Sequence, residues 1–131
     1  MAISYSAVVL DERSKKRLIS RFNDYIPEGW KVMADHLTIN LGEIAPEYEK
    51  YLGLTIRLSV DSIAEDNNVI ALGTSGFESK NEYPHITLAV NVNEGGKPMM
   101  SKYLTDWKPI KHPLQITGTV KEVPLNLGNN E

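Results

Sequence analysis

The chain alternates apolar and polar positions in short blocks set off by turn residues. Ile3 to Leu10 (ISYSAVVL) is rich in β-branched and aromatic residues and predicts a first strand. Asp11 can cap a helix running to about Tyr25, because Leu18, Ile19, Phe22 and Ile26 recur at helical spacing. Arg13, Lys15, Lys16, Arg17 and Arg21 fill much of the rest of that helix. Pro27, Glu28 and Gly29 end it, and Trp30 to Leu41 then predicts a second strand. Its alternation sets Met33, Leu37, Ile39 and Leu41 inward and Ala34, His36, Thr38 and Asn40 outward.

Pro46 suits the first turn of a short helix through Leu52, closed by Gly53. Leu54 to Ser62 and Val69 to Thr74 read as two strands joined by a hairpin turn at Glu65 to Asn68. Ser75 to Glu82 reads as a loop. Tyr83 to Val92 (YPHITLAVNV) predicts the next strand, with Ile86, Leu88 and Val90 on one face and His85, Thr87 and Ala89 on the other. After the break at Asn93 to Gly96, Pro98 can open a short helix carrying Met99, Met100, Tyr103 and Leu104, and Leu114 to Val123 supplies a last strand. The sum is an α+β arrangement in which hairpin connections dominate.

Length and composition narrow this picture. The 131 residues, 41% hydrophobic and 24% charged, suit one compact soluble domain over residues 1–125, with 126–131 expected to be a flexible tail. No apolar run approaches the roughly 20 residues that cross a bilayer, and the first basic cluster follows the apolar run instead of preceding it, the reverse of a secretory signal. A cytoplasmic setting is therefore expected, and no membrane partner. The absence of cysteine excludes disulfides, thiolate metal sites and a cysteine nucleophile. A net charge of −3 argues against a protein that coats duplex DNA, since that binding rests on many cationic contacts to phosphate.

One pattern occurs twice: HLTI at His36 to Ile39 and HITL at His85 to Leu88. On a strand, residues two apart point the same way about 7 Å apart, so His36 projects with Thr38 and His85 with Thr87, while Leu37, Ile39, Ile86 and Leu88 anchor in the core. A single such pair is usually a hydrogen-bonded polar face. Two pairs in a chain with three histidines favour a shared groove. In-line displacement at a phosphodiester needs a base on the attacking side of phosphorus and an acid on the leaving side. Two imidazoles can fill both roles near neutral pH, each contributing about 100- to 10,000-fold in rate. Threonine hydroxyls can donate to the non-bridging oxygens as charge builds. There is no HExxH-type spacing or dense carboxylate cluster, so no metal and no cofactor are expected.

HLTI and HITL resemble the paired signature of the 2H phosphoesterase superfamily, whose members include RNA ligase-like and cyclic phosphodiesterases, tRNA-ligase cyclic-phosphodiesterase domains and phage enzymes that destroy cyclic oligonucleotide immune signals. The resemblance implies two similar lobes of antiparallel strands and helices around a cleft, one motif on each. It implies His36 and His85 as the acid–base pair, Thr38 and Thr87 as phosphate holders, and a cyclic nucleotide, cyclic oligonucleotide or RNA 3′ end as substrate. GTSGFES at Gly73 to Ser79 and EGGKP at Glu94 to Pro98 are similar to the compact viral and tRNA-ligase-like branch, for which the setting would be the host cytoplasm. Competing expectations are a binding module for nucleotides or RNA ends that performs no chemistry, and a structural domain whose two histidines do not meet.

Substrate-binding candidates are the aromatic residues Tyr5, Trp30, Phe77 and Tyr83, which could stack on a base, and Lys97 and Lys102, which could reach phosphate. Each has a plainer role available, in the core for the aromatics and at the surface for the lysines. His112, without a threonine two positions on, is expected in a surface loop, and the basic run Arg13 to Arg17 on a solvated helix face.

Overall fold

The computed structural model describes residues 2–125; the expected tail at 126–131 lies outside the described residues. Among the described residues seven strands, β1 (Ile3–Leu10), β2 (Lys31–Val32), β3 (His36–Leu41), β4 (Thr55–Glu65), β5 (Val69–Ser75), β6 (His85–Val90) and β7 (Lys108–Pro124), join one α-helix, α1 (Glu12–Phe22), and short 3₁₀ turns. Strand order is β6-β3-β1-β7-β4-β5, and β5 pairs back onto β6, so six strands close into a barrel with every neighbour antiparallel. Closure leaves no long free edge in this ring. β2 continues the β3 side of β6. The protein is thus α+β, with few helices. No helix among the described residues is long and apolar enough to cross a membrane.

Alternation builds the core. Val8, Leu37, Ile39, Leu58, Val60, Leu72, Ile86, Leu88, Ile116 and Val120 are fully or almost fully buried in one cluster, which α1 joins through Leu18 and Phe22. Each such side chain contributes about 1.5–3 kcal/mol by leaving water. The helix starts where expected, with the Asp11 carboxylate accepting from the Ser14 N–H at 2.7 Å. Its regular turns end at Phe22 and a 3₁₀ turn carries on to Tyr25. A smaller cluster of Ala64, Val69, Ala71, Val90 and Leu104 packs with Met33, Met100 and Trp107, alongside the 3₁₀ segment Pro98–Tyr103.

Four expectations are corrected. The strand expected from Trp30 to Leu41 is broken between Val32 and His36, where Ala34 takes φ 51°. The break inverts the alternation before it, so Ala34 joins the main core and Met33 the smaller cluster; Leu41, past a separate register shift against Ser6 and Ala7 of β1, is 80% exposed. The strand around the second motif is His85–Val90, and a register shift opposite Ile70 and Ala71 inverts its last residues, so Ala89 packs in the main core and Val90 in the smaller cluster. The last strand starts at Lys108, six residues before Leu114, because a shift between Val60 and Ser62 accommodates the proline-bearing segment. His112 therefore lies exposed in β7 and not in a loop.

Candidate active site

The two motifs lie on adjacent strands. Leu37 of β3 pairs with Ile86 of β6, antiparallel. One residue to either side, the same register sets His36 across from Thr87 and Thr38 across from His85. The four polar side chains share one face and the two histidines take diagonal positions, whose backbones are typically about 7–8 Å apart. An approximate two-fold axis passes through the Leu37–Ile86 pair. Burial follows from it: Leu37 and Ile86 are fully buried on the core side, while His36, Thr38, His85 and Thr87 line one cleft of about 600 Å³. That volume is in the range of small-molecule sites.

The two imidazoles differ in their surroundings. His85 is 8% exposed, and its Nδ1 lies 2.7 Å from the Tyr83 carbonyl. A carbonyl only accepts, so Nδ1 carries the proton and Nε2 is left for a ligand. His36 stacks on Tyr5, with ring centroids 4.7 Å apart and planes at 27°. Burial lowers the pKa of both histidines below the ordinary 6.5, because charge is disfavoured away from water. For His36 the neighbouring Asp35 carboxylate opposes this and the nearby His85 adds to it. For His85 the Tyr83 carbonyl opposes it. Asp35 is itself paired with Lys15 of α1 at 2.6 Å. Burial, then Asp35, raises the Tyr5 hydroxyl above its usual value.

The threonines are not equivalent either. The Thr87 hydroxyl lies 2.8 Å from the Ser101 hydroxyl and donates weakly to the Pro98 carbonyl at 3.3 Å, which ties β6 to the 3₁₀ segment. The Thr38 hydroxyl makes no hydrogen bond to a described residue. Its carbonyl accepts from the Ser79 hydroxyl at 2.7 Å, and the Lys80 N–H donates to the Ile39 carbonyl at 2.7 Å. These two bonds lay the loop before β6 along β3 and bring Lys80 and Asn81 to the cleft wall.

Of the other residues singled out in the sequence, Tyr5 and Lys102 line the cleft. Trp30 borders a different depression with Glu65, Asp66 and Asn91, and Phe77 packs on Tyr48 and Tyr51 at the core. Tyr83 turns its ring onto Trp107 and reaches the site only through its carbonyl, and Lys97 does not line the cleft. Asp35, Asn40, Lys80, Asn81, Met33, Pro98 and Met99 line it without having been singled out. Lys80 is engaged by Glu47, so Lys102 is the cation in the lining with no carboxylate partner among the described residues. Asp35 had a signal available, since it immediately precedes the motif histidine. No group of three or more metal-ligating side chains assembles among the described residues.

No protein-family model matches the chain, and no curated protein matches it.

Proposed function

We propose that the protein is a metal-independent phosphodiesterase of the 2H type, hydrolysing a nucleotide phosphodiester such as a 2′,3′-cyclic phosphate end or a cyclic oligonucleotide. The observation that carries this reading is the diagonal pair His36 and His85 in one cleft, each flanked by a threonine of the opposite strand. In this reading the two-lobed pattern of the superfamily corresponds to the two sides of the approximate axis through Leu37 and Ile86, one motif on each. A cytoplasmic setting, or the host cytoplasm for a viral source, goes with it.

The chemistry is a single in-line displacement. One neutral imidazole takes a proton from water as its oxygen bonds to phosphorus. The other, protonated, gives its proton to the ribose oxygen as the P–O bond breaks. Both rings regain their starting states by proton exchange with solvent. Thr38 and, after rotation of its hydroxyl, Thr87 donate to the non-bridging oxygens, and Lys102 offsets the negative charge. The Nδ1–H anchor on Tyr83 presents Nε2 of His85 to the reacting oxygen.

Incubation with a panel of 2′,3′-cyclic nucleotides, cyclic dinucleotides and cyclic trinucleotides in excess EDTA tests the reading. At least one substrate is expected to be opened. His36→Ala and His85→Ala should each cut the rate by about 100- to 10,000-fold while remaining folded. Saturable binding of unchanged ligand across the panel would replace the enzyme by a binding module, and near-normal turnover by either variant would remove the acid–base assignment.

A further inference from the structure

Building on the proposed acid–base role of His85, we infer that Trp107 is a positioning residue for that ring: stacked on Tyr83 over the bare backbone of Gly73, it holds the Tyr83 carbonyl where it captures Nδ1–H of His85 and leaves Nε2 to react.

Four observations converge on this. The Tyr83 and Trp107 rings are stacked with centroids 4.3 Å apart and planes within 2°. The Tyr83 hydroxyl lies 3.0 Å from that of Ser62 on β4, so the ring is held at its far end as well as by its face. The stack rests on Gly73, which pairs with His85 across the β5–β6 ladder. A Cβ there would come within 2.1 Å of the Ser62 hydroxyl oxygen, 2.6 Å of the Tyr83 ring and 3.3 Å of Trp107. Only glycine leaves the ring pair room beside the histidine. Finally, Trp107 follows Asp106, a non-glycine residue at φ 60°. That left-handed conformation is disfavoured for a residue with a Cβ, and the packing of the indole against the smaller core cluster holds it in place.

The consequence is for the tautomer. A histidine with two free ring nitrogens divides its neutral population between them, and only one form has its acceptor toward the substrate. The Tyr83 carbonyl removes that choice, but only while the Tyr83 backbone stays in position, just outside the end of β6. Trp107 also flanks the imidazole itself, at 6.2 Å between centroids and 34° between planes, which hinders its rotation. No cleft-lining contact is needed for either effect, and Trp107 does not line the cleft.

The test uses ¹⁵N-histidine NMR on the full chain without any substrate, so it does not depend on the proposed activity. Wild type should show neutral His85 protonated at Nδ1. Trp107→Leu should show the two tautomers mixed, and Trp107→Phe, which keeps a stacking face, should return toward the wild-type pattern. On whichever substrate the panel yields, Trp107→Leu should lower kcat by about 100-fold, the scale of one misdirected acid–base group, with KM changed by less than about threefold. Should Trp107→Leu unfold, Ser62→Ala, which frees only the far end of the Tyr83 ring, is read the same way and should also mix the tautomers. An unchanged Nδ1–H tautomer in a folded Trp107→Leu or Ser62→Ala protein overturns the inference even if the enzyme is active. A panel that yields no hydrolysis overturns the proposed function and leaves the tautomer result to stand by itself.

Discussion

Leu37 lies directly across the β3–β6 ladder from Ile86, both fully buried, and this apolar pair fixes from beneath how the four polar side chains above it meet. A strand slipped by one residue would turn all of them to the other face. Leu37→Ala leaves every cleft residue intact but removes the anchor. It should cost about 2–5 kcal/mol in urea unfolding, the range for a large aliphatic residue cut to alanine in a close-packed core. A loss below about 1 kcal/mol would mean that β3 is not held through this side chain.

Much of this was legible because the strands are short and their alternation is clean. β1 begins and ends at Ile3 and Leu10 as the pattern predicts, Asp11 caps α1, and the parity of HLTI and HITL is the parity observed. What the pattern could not show is where alternation fails. A backbone turn at Ala34 and a bulge near Leu88 each invert the faces without any glycine or proline to announce them. The start of β7 was hidden by Pro109, Pro113 and three cationic or histidine side chains, which read as a loop and become strand only because β4 shifts register to meet them. Trp107 escaped notice for the same reason. It stacks on Tyr83, a partner distant along the chain, and periodicity carries no such information.

The threonines should separate on mutation. The Thr38 hydroxyl makes no hydrogen bond to a described residue, whereas that of Thr87 is engaged with Ser101 and Pro98. Thr38→Val should lower kcat by about 100-fold, as for loss of one preorganised donor to a developing anion, with little change in unfolding midpoint. Thr87→Val should lower kcat less but destabilise the protein by about 1 kcal/mol, because it strips a hydrogen bond from the segment Pro98–Tyr103. Equal kinetic losses without a stability difference would contradict the asymmetry.

Stability should fall on mild acidification. Burial holds both His36 and His85 below the ordinary 6.5, so between that value and their folded values the unfolded chain binds more protons than the native one. Unfolding free energy then rises with pH across this window and levels off above 6.5, and it is lost as pH falls through the folded values. Asp11 and Glu47, whose folded pKa values are lowered from 3.8 and 4.5, act in a separate and more acidic window. Urea unfolding from pH 5 to 8 should show the slope, and a His36→Gln, His85→Gln double variant should flatten it. A slope unchanged in that variant would assign the proton uptake to other groups.

Asp35 offers a way to tell the roles of the two histidines apart. Its carboxylate raises the pKa of His36 against the effect of burial, and it is partly neutralised by Lys15 at 2.6 Å. The carbonyl that assists His85 is uncharged and belongs to a different segment, so a change at Asp35 acts selectively on His36. Asp35→Asn should move one limb of the pH profile of kcat/KM to lower pH. Lys15→Met, which leaves the carboxylate unopposed, should move the same limb to higher pH. If that limb is the acidic one, His36 must lose its proton to work and is the base; if it is the alkaline one, His36 must hold its proton and is the acid. Both pair members are partly exposed, so the displacements should shrink as salt is added. A profile in which neither limb responds to either substitution would show that His36 does not titrate in the rate-determining step.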